Sequence, residues 1–106
     1  MVTFAEFKKL EIKIAKILEV NDHPNADKLY VVKIDTGTQT KQIVAGIKSY
    51  YKKEELVGRQ IVVVDNIEPA SLRGVESQAM LLAATDEKGI AIVVPEREMA
   101  IGSIVK

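Results

Sequence analysis

The sequence has no cysteine and only one histidine among its 106 residues. Without cysteine, neither a disulfide nor a thiolate-bound metal can hold the fold, which fits a reducing compartment. His23 precedes Pro24 in a turn, and no hydroxyl side chain has a marked base beside it for nucleophilic catalysis. Asp22, His23 and Asp27 can be drawn as a metal site, but a solvated loop is the favoured interpretation of such a turn. We therefore expect a binding module without catalytic residues, cofactor or metal.

Long apolar runs are also missing. None approaches the ~20 residues that span a bilayer, and charges at Glu6, Lys8 and Lys9 interrupt the segment where a secretory signal would be apolar. The length is that of one domain, residues 1–106, which can bury a single core. We expect a soluble, cytoplasmic protein with no membrane contact, and the initial Met favours a separate polypeptide.

The net charge is zero, from 15 basic and 15 acidic residues. This balance argues against indiscriminate nucleic-acid binding, which favours strongly basic chains. The two halves nevertheless differ, because residues 1–53 carry ten lysines and six acids, whereas residues 54–106 carry five basic and nine acidic residues. The difference predicts a basic face only if the two halves do not interleave in the fold.

Short segments of alternating apolar residues make up most of the chain. Thr3 and Glu6 form a capping-box pattern that predicts a short N-terminal helix. The alternation predicts strands, and a change of phase at 15–18 indicates a bulge. The predicted strands lie at 10–18, 29–34, 41–47, 60–64, 79–84 and 90–94, with a helix at 50–57 and a short edge strand at 100–105. This order predicts an all-β OB-fold, a five-stranded barrel with one helix between strands three and four.

The stretch EPASLRGVESQAMLL at 68–82 separates two of the predicted strands. It has too many polar residues for a tight hairpin, so we expect an extended loop at the lip of the barrel. Arg73 in this loop can reach a phosphate or a base edge, or it can close the loop against Glu68 or Glu76.

Three lysines fall on or beside predicted strands two and three, the binding face of an OB-fold: Lys28, Lys33 and Lys41. Cations along a groove suit single-stranded nucleic acid when planar or apolar surfaces lie nearby. Strand lysines also point to water and protect strand edges, and the residues alone favour that interpretation. Residue type alone likewise favours a core position for Met80.

Four segments together resemble one known family. HPNADKLY (23–30), VAGI (44–47), EELVG (54–58) and RGVESQAM (73–80) are similar, in order and spacing, to the tRNA-binding domain of the methionyl-tRNA synthetase C-terminus. The same domain occurs in free-standing structure-specific tRNA-binding proteins and in cytokine-like synthetase cofactors. The resemblance covers essentially the whole chain. It implies an OB-fold with short additions at both ends, and a non-catalytic domain that binds tRNA by shape and assists a methionyl-tRNA synthetase catalytic subunit.

The resemblance also implies particular residues. The family's Ser-x-x-Met signature falls on Ser77 and Met80, its asparagine after strand four on Asn66, and its Lys-Leu dipeptide on Lys28. With the cations already named, the implied tRNA contacts are Lys28, Lys33, Lys41, Asn66, Arg73, Ser77 and Met80. The family's homodimer joins through the chain ends, where this sequence offers Phe4, Phe7, Ile101 and Ile104.

The sequence departs from the family after strand four. Relatives carry Lys-Pro-basic-Lys there, whereas this chain has Glu68, Ala70 and Ser71 around the proline, and Ala79 replaces the glycine of Ser-x-Gly-Met. Each lost phosphate contact lowers the salt dependence of binding by about one unit of slope. We therefore expect weakened tRNA binding, carried by the lysine-rich first half. Two alternatives stay open: a protein-binding role, as in export-related chaperones that share the fold and dimer, and a dimerisation module that has lost tRNA affinity.

Overall fold

A five-stranded antiparallel sheet curls into a nearly closed barrel in the computed structural model, which describes all 106 residues. In chain order the elements are α1 (Phe4–Phe7), β1 (Ile12–Asp22), β2 (Tyr30–Asp35), β3 (Thr40–Ala45), α2 (Lys53–Leu56), β4 (Gln60–Val64), β5 (Ala70–Leu72), β6 (Val75–Ser77), β7 (Met80–Leu81), β8 (Ala83–Asp86) and β9 (Gly89–Ile92). The barrel strands run in the order β3-β2-β1-β4-β7, and β5–β6 and β8–β9 are separate hairpins. None of the helices has the length and apolar character that crossing a membrane requires.

The barrel closes where β3 approaches β7. The Gln78 N–H donates to the Gln42 carbonyl at 2.8 Å, and the Gln42 N–H donates to Gln78 Oε1 at 2.8 Å. These two bonds span the gap that the regular ladder leaves open. The predicted all-β, OB-like barrel is confirmed, with the single helix between β3 and β4.

Alternation along β4 builds two apolar layers. Ile61 and Val63 point into the barrel and belong to a main cluster of 14 buried residues. Val62 and Val64 pack on the outer face against Ile12 and the next isoleucine of β1, in a second cluster of four buried residues. A fully buried aliphatic side chain stabilises the fold by about 1.5–3 kcal/mol. The β1–β4 ladder is therefore covered on both faces.

The predicted bulge in the first strand is confirmed. β1 pairs Ile17 with Ile34 and Glu19 with Lys33, so Leu18 has no partner and the register shifts. The extra residue bends the strand, as bulges do. β1 can consequently pair with β4 along its first half and with β2 along its second half.

The helix predicted at 50–57 is shorter, because α2 covers only Lys53–Leu56. The Tyr51 N–H donates to the Ile47 carbonyl at 3.1 Å, which makes a turn before the helix begins. The Tyr51 hydroxyl accepts the Ile92 N–H at 3.0 Å, and its ring packs against the main core. Packing of this side chain into the barrel outweighs the local helix propensity.

The strand predicted at 79–84 is interrupted at Leu82. Before this residue the chain pairs with β4 as β7, and after it the chain pairs with β9 as β8. The Leu82 N–H donates to the Val62 carbonyl at 3.0 Å, while the Leu82 carbonyl accepts the Val93 N–H at 3.0 Å. The strand breaks because its hydrogen-bonding partner changes.

The extended loop predicted within 68–82 is wrong, because the chain forms the tight β5–β6 hairpin there. Ala70 pairs with Ser77 and Leu72 with Val75, leaving the two-residue turn Arg73-Gly74. Both turn residues have positive φ, +54° and +88°, which is the type I′ geometry that suits the twist of a hairpin. Arginine rarely adopts positive φ, so the sequence carried no Asn-Gly or Asp-Gly signal for this turn.

The C-terminal addition lies against the start of β1, whereas α1 precedes β1 and buries none of its residues. The capping box of α1 is confirmed, with Thr3 Oγ1 accepting the Glu6 N–H at 3.2 Å and the Glu6 carboxylate accepting the Thr3 N–H at 3.2 Å. At the other end, the Ile14 N–H donates to the Ser103 carbonyl at 2.9 Å. The predicted C-terminal edge strand is reduced to a short stretch of such pairing around one bridge between β1 and Ile104.

A buried carboxylate joins three barrel strands. Asp65 follows β4 and lies 2.9 Å from the Lys13 ammonium of β1 and 2.8 Å from that of Lys41 on β3. Burial alone would raise the pKa of Asp65, but hydrogen bonds from Lys41 and Lys13 outweigh it and hold that pKa below its ordinary value of 3.8. The hydrogen bond to Asp65 raises the pKa of Lys13 above 10.5, against the effect of its own burial.

These shifts predict how stability depends on pH. The Asp65 contribution is present above its ordinary pKa and lost as the pH falls through the depressed value, whereas the Lys13 contribution is present below pH 10.5 and lost as the pH rises through the raised value. Asp65→Asn should lower the free energy of unfolding at pH 7 by about 3 kcal/mol. It should also make that free energy depend less on pH below pH 4. Urea unfolding between pH 2 and 11 measures both effects.

Glu19→Gln is the matched control, since Glu19 forms an exposed ion pair with Lys33. Exposed pairs contribute little, so this variant should stay close to the wild type at pH 7. An Asp65→Asn protein as stable as the control would contradict a structural role for the buried carboxylate.

Candidate nucleic-acid interface

The β5–β6 hairpin stands beside the barrel and is fastened at its base to β3. The Val44 N–H donates to Ser77 Oγ at 2.9 Å, and that hydroxyl donates to the Ala79 carbonyl at 3.0 Å. Gln42 Nε2 adds a bond to the Glu76 carbonyl at 2.9 Å. Ser77 is buried and its hydroxyl both accepts and donates within the chain. Its observed role is to attach the hairpin and so to place the residues around it.

The tip of the hairpin meets the loop between β1 and β2. Arg73 Nη2 donates to the Asn25 carbonyl at 3.2 Å, and Asn25 Nδ2 donates back to the Arg73 carbonyl at 3.2 Å. Arg73 pairs with neither Glu68 nor Glu76. Arg73 and Lys28, two of the predicted tRNA contacts, line one open cleft of about 440 Å³ together with Asp27. The structure thus brings two cations of the predicted site into one place.

An apolar groove of about 360 Å³ lies between the hairpin and the barrel. Met80 is 44 % exposed and lines it together with Leu72 of β5 and Val44 of β3. Exposed apolar and planar surfaces of this kind accept a nucleobase or an apolar side chain. Glu68 and Ala70 also line the groove, so the positions where the resemblance implies basic residues lie beside it.

The two other predicted lysines, Lys33 and Lys41, differ in how far solvent or a ligand can reach their ammonium groups. Lys33 on β2 has a half-exposed side chain 3.5 Å from Glu19, and its ammonium lies next to solvent. Hydrogen bonds from Asn21 and Lys33 hold the pKa of Glu19 below its ordinary value. Lys41 is only 17 % exposed and donates to the Asp65 carbonyl at 2.9 Å, next to its ion pair. Lys33 has only an exposed partner that another anion can replace, whereas Lys41 is held within the barrel.

Asn66 is also occupied inside the chain. Its Oδ1 accepts the Glu11 N–H at 2.8 Å, and its Nδ2 donates to the Lys9 carbonyl at 2.7 Å. The side chain therefore fastens the segment between α1 and β1 to the end of β4. Among the predicted contacts, Lys28, Lys33, Arg73 and Met80 face the cleft, the groove or solvent, while Lys41, Asn66 and Ser77 hold the framework.

Ion pairs occupy several lysines of the basic half. Lys13 and Lys41 of the basic half pair with Asp65 of the acidic half, and Lys48 and Lys53 both lie 3.1 Å from Asp22. Hydrogen bonds from Lys53 and Lys48 lower the pKa of Asp22. The continuous basic face that the lysine count suggested is replaced by a few separate cations.

The largest hollow, about 630 Å³, lies elsewhere, between 58–60 and the C-terminal segment 94–101. It carries Lys16, Arg59 and Arg97 but also Glu96 and Glu98, so its charges are mixed. Arg97 itself lies 3.5 Å from Glu96. The hollow resembles the cleft in its mixed charge, but it lacks the apolar groove that lies beside the hairpin.

Apolar side chains project from both chain ends. Phe4 is 70 % exposed and Ile104 62 % exposed, Phe7 is partly exposed, and Ile101 is half-buried. α1 buries none of its residues against the barrel. This surface is separate from the cleft and the groove around the hairpin.

Two residues of this region were not anticipated as part of a binding site. His23 and Asn25 were interpreted as turn residues, yet both bond to the hairpin tip 48 or 49 residues away. The HPN turn signal predicted the bend correctly. No local pattern indicates which distant carbonyl groups such a turn will meet.

A family model described as "Putative tRNA binding domain" matches residues 12–104. The chain belongs to the tRNA-binding domain family. The domain is 54% identical over 105 residues to the methionine--tRNA ligase of Thermococcus kodakarensis, covering 99% of this chain and 14% of that enzyme. It thus spans about a seventh of the length of this curated relative.

Two solved structures support assigning the chain to the tRNA-binding domain family. A MetRS related protein from Pyrococcus horikoshii matches with a TM-score of 0.92 and 30% identity, covering all of this chain and 98% of the other. A CsaA chaperone protein from Picrophilus torridus matches with a TM-score of 0.92 and 30% identity over 100% of both chains. Relatives of the domain thus include a synthetase-related protein and a chaperone.

The positive φ of Arg73 yields a prediction about stability. Arg73→Asn creates Asn-Gly, the residue pair that type I′ turns favour, and should leave the free energy of unfolding unchanged or raise it by about 0.5–1 kcal/mol. Arg73→Ala should be the less stable variant, because alanine keeps the cost of a positive φ and loses the bond to Asn25. Urea unfolding ranks the two. An Asn variant less stable than the Ala variant would contradict this turn geometry.

Proposed function

We propose that the domain binds tRNA with the surface around the β5–β6 hairpin, which we call the hairpin surface and define by Lys28, Lys33, Leu72, Arg73 and Met80. The observation that carries the proposal is the position of Arg73 and Lys28 in one cleft beside an apolar groove. Cations next to an apolar floor are what an unstacked nucleotide requires, since the phosphate and the base are then both satisfied.

Each element of the hairpin surface has a distinct role in this proposal. Arg73, Lys28 and Lys33 contact phosphates, and Met80 with Leu72 supplies the apolar surface for an exposed base. Ser77, Asn66 and Lys41 act indirectly by holding the hairpin, the N-terminal segment and β3 in place. Recognition then depends on the shape of a folded RNA and its exposed bases, not on a continuous sequence.

The affinity should be modest. Three phosphate contacts are few, and Glu68 beside the groove repels the backbone. The domain would serve in the cytoplasm by raising the local tRNA concentration near a methionyl-tRNA synthetase catalytic subunit, to which it is tethered or bound. A weak module is sufficient for this purpose, because capture by the catalytic body becomes an intramolecular step.

We further propose that two copies associate through the chain ends, using Phe4, Phe7, Ile101 and Ile104. The support is that the C-terminal segment pairs with the start of β1, α1 directly precedes that strand, and both leave apolar side chains exposed. Burying them in a two-fold interface removes apolar surface from water. A dimer would present two hairpin surfaces to one L-shaped RNA.

A second candidate function is binding of an unfolded peptide in the apolar groove. Eleven of the groove's 15 lining residues are hydrophobic, and the similar protein from Picrophilus torridus is described as a chaperone. An apolar segment of a peptide would occupy the floor that the tRNA proposal assigns to a base. The cations at the hairpin tip favour RNA, because a peptide does not require them.

A titration with unmodified tRNA tests the leading proposal. Three phosphate contacts predict a slope of log K against log salt of about −2 to −3, so affinity should fall about 20–40-fold between 50 and 200 mM salt. Lys28→Glu should weaken binding at every salt concentration, because Lys28 lines the cleft with Arg73. Lys52→Glu is the matched control, since Lys52 is exposed and lines neither the cleft nor the groove. Capture of a denatured peptide without any tRNA binding at low salt would establish the second candidate instead.

Light scattering tests the dimer. We expect twice the chain mass of 11.7 kDa for the wild type and a shift to the monomer for Phe4→Asp combined with Ile104→Asp, because both charges would lie in the buried interface. Leu18→Asp is the control, since Leu18 is also apolar and exposed, at 43 %, but lies at the β1 bulge. A monomeric wild type would refute the interface.

A further inference from the structure

The β5–β6 hairpin cannot maintain its own position. It has three residue pairs, and β5 is exposed along its whole length and pairs with no other strand. An isolated two-stranded hairpin is at best marginally stable in water. The bonds from Ser77 and Gln42 hold only its base. The position of the tip, which carries Arg73, must therefore come from another part of the chain.

The loop between β1 and β2 supplies this support. The Asn25 N–H donates to His23 Nδ1 at 2.9 Å, so His23 Nε2 carries the ring proton and donates to the Leu72 carbonyl at 2.8 Å. Asn25 Nδ2 donates to the Arg73 carbonyl at 3.2 Å. His23 is buried although it lies in a surface loop. Two consecutive carbonyl groups of the hairpin tip are thus held by two side chains of one loop.

The contact also leaves the guanidinium usable. Only Nη2 of Arg73 bonds within the chain, to the Asn25 carbonyl, and a guanidinium has five N–H donors. The positive φ of Arg73 costs free energy that a glycine or asparagine would not require. A strained arginine kept in place by a neighbouring loop is a feature from which a functional role can be inferred.

We propose that His23 and Asn25 form a clasp that positions Arg73 and Leu72 for RNA binding without contacting the RNA. The inference rests on the proposed tRNA binding at the hairpin surface. It assigns the HPN turn a positioning role, since the clasp limits the directions in which the guanidinium can point. Releasing the clasp lets the tip move, so the phosphate contact of Arg73 becomes entropically costly.

A double-mutant cycle on the full chain tests the clasp. Asn25→Ala removes one clasp bond at an exposed position, and Arg73→Asn removes the guanidinium while keeping a favourable turn. We expect tRNA affinity to fall about fivefold for Asn25→Ala and about tenfold for Arg73→Asn, and the double variant to be no weaker than Arg73→Asn alone. Both single variants should lower the salt slope by about 0.7–0.9, the amount that one phosphate contact contributes.

Gln39→Ala is the matched control, because Gln39 is an exposed amide between β2 and β3 and lines neither the cleft nor the groove. A second readout is independent of RNA: amide hydrogen exchange of residues 71–76 should accelerate in Asn25→Ala and more strongly in His23→Ala, but not in the control. A purely structural effect would lower the midpoint of unfolding and leave the salt slope unchanged, which would overturn the clasp. Additive losses in the cycle would overturn it equally.

The same experiments distinguish a domain that does not bind tRNA from a clasp that does not position the hairpin tip. A wild type that does not bind tRNA refutes the function, and unchanged hydrogen exchange in Asn25→Ala and His23→Ala then refutes the clasp as well. A wild type that binds tRNA and weakens in Arg73→Asn but not in Asn25→Ala retains the function and refutes the clasp alone.

Discussion

Asp65 lies at the end of β4 with its carboxylate between the ammonium groups of Lys13 and Lys41. Lys41 belongs to β3, which β2 and β1 separate from β4 in the sheet order. The Lys41–Asp65 ion pair therefore connects strands that the regular hydrogen-bond ladder does not join. The Asp65 N–H also donates to the Glu11 carbonyl at 2.8 Å. Closure of the barrel and placement of the N-terminal addition consequently depend on one small region.

The same interaction determines which cations remain for a ligand. A buried carboxylate needs partners, and one of the two partners of Asp65 is a lysine that the linear sequence presents as a candidate RNA contact. Lys41 is used in this way, whereas Lys28 and Arg73 stay accessible beside the hairpin and Lys33 stays exposed on β2. A domain with zero net charge thus keeps a small, localised set of cations beside an apolar groove. This arrangement suits a weak, tethered RNA-binding module better than a strong independent binder.

The apolar groove is common to both candidate functions. A base and an apolar peptide side chain would contact the same Met80 and Leu72 surface, so shape alone does not separate an RNA ligand from a protein ligand. Electrostatics separates them, because phosphate binding is salt-dependent and apolar burial is not weakened by salt. The position of Glu68 beside the groove shows how a few surface substitutions can shift the balance between the two ligands on one fold.

The sequence by itself determined the barrel, the α1 capping box, the β1 bulge and the family, because these follow from local periodicity, hydrogen bonding between near neighbours and ordered motifs. Only the tertiary structure decided that 68–82 is a hairpin, that Leu82 divides a strand, and that Ser77 and Asn66 are used internally. It also decided that His23 and Asn25 hold the hairpin tip. Each of these outcomes depends on partners far away in the chain. A polar side chain carries its hydrogen-bonding capacity in the sequence, but the partner that uses this capacity is chosen by the fold.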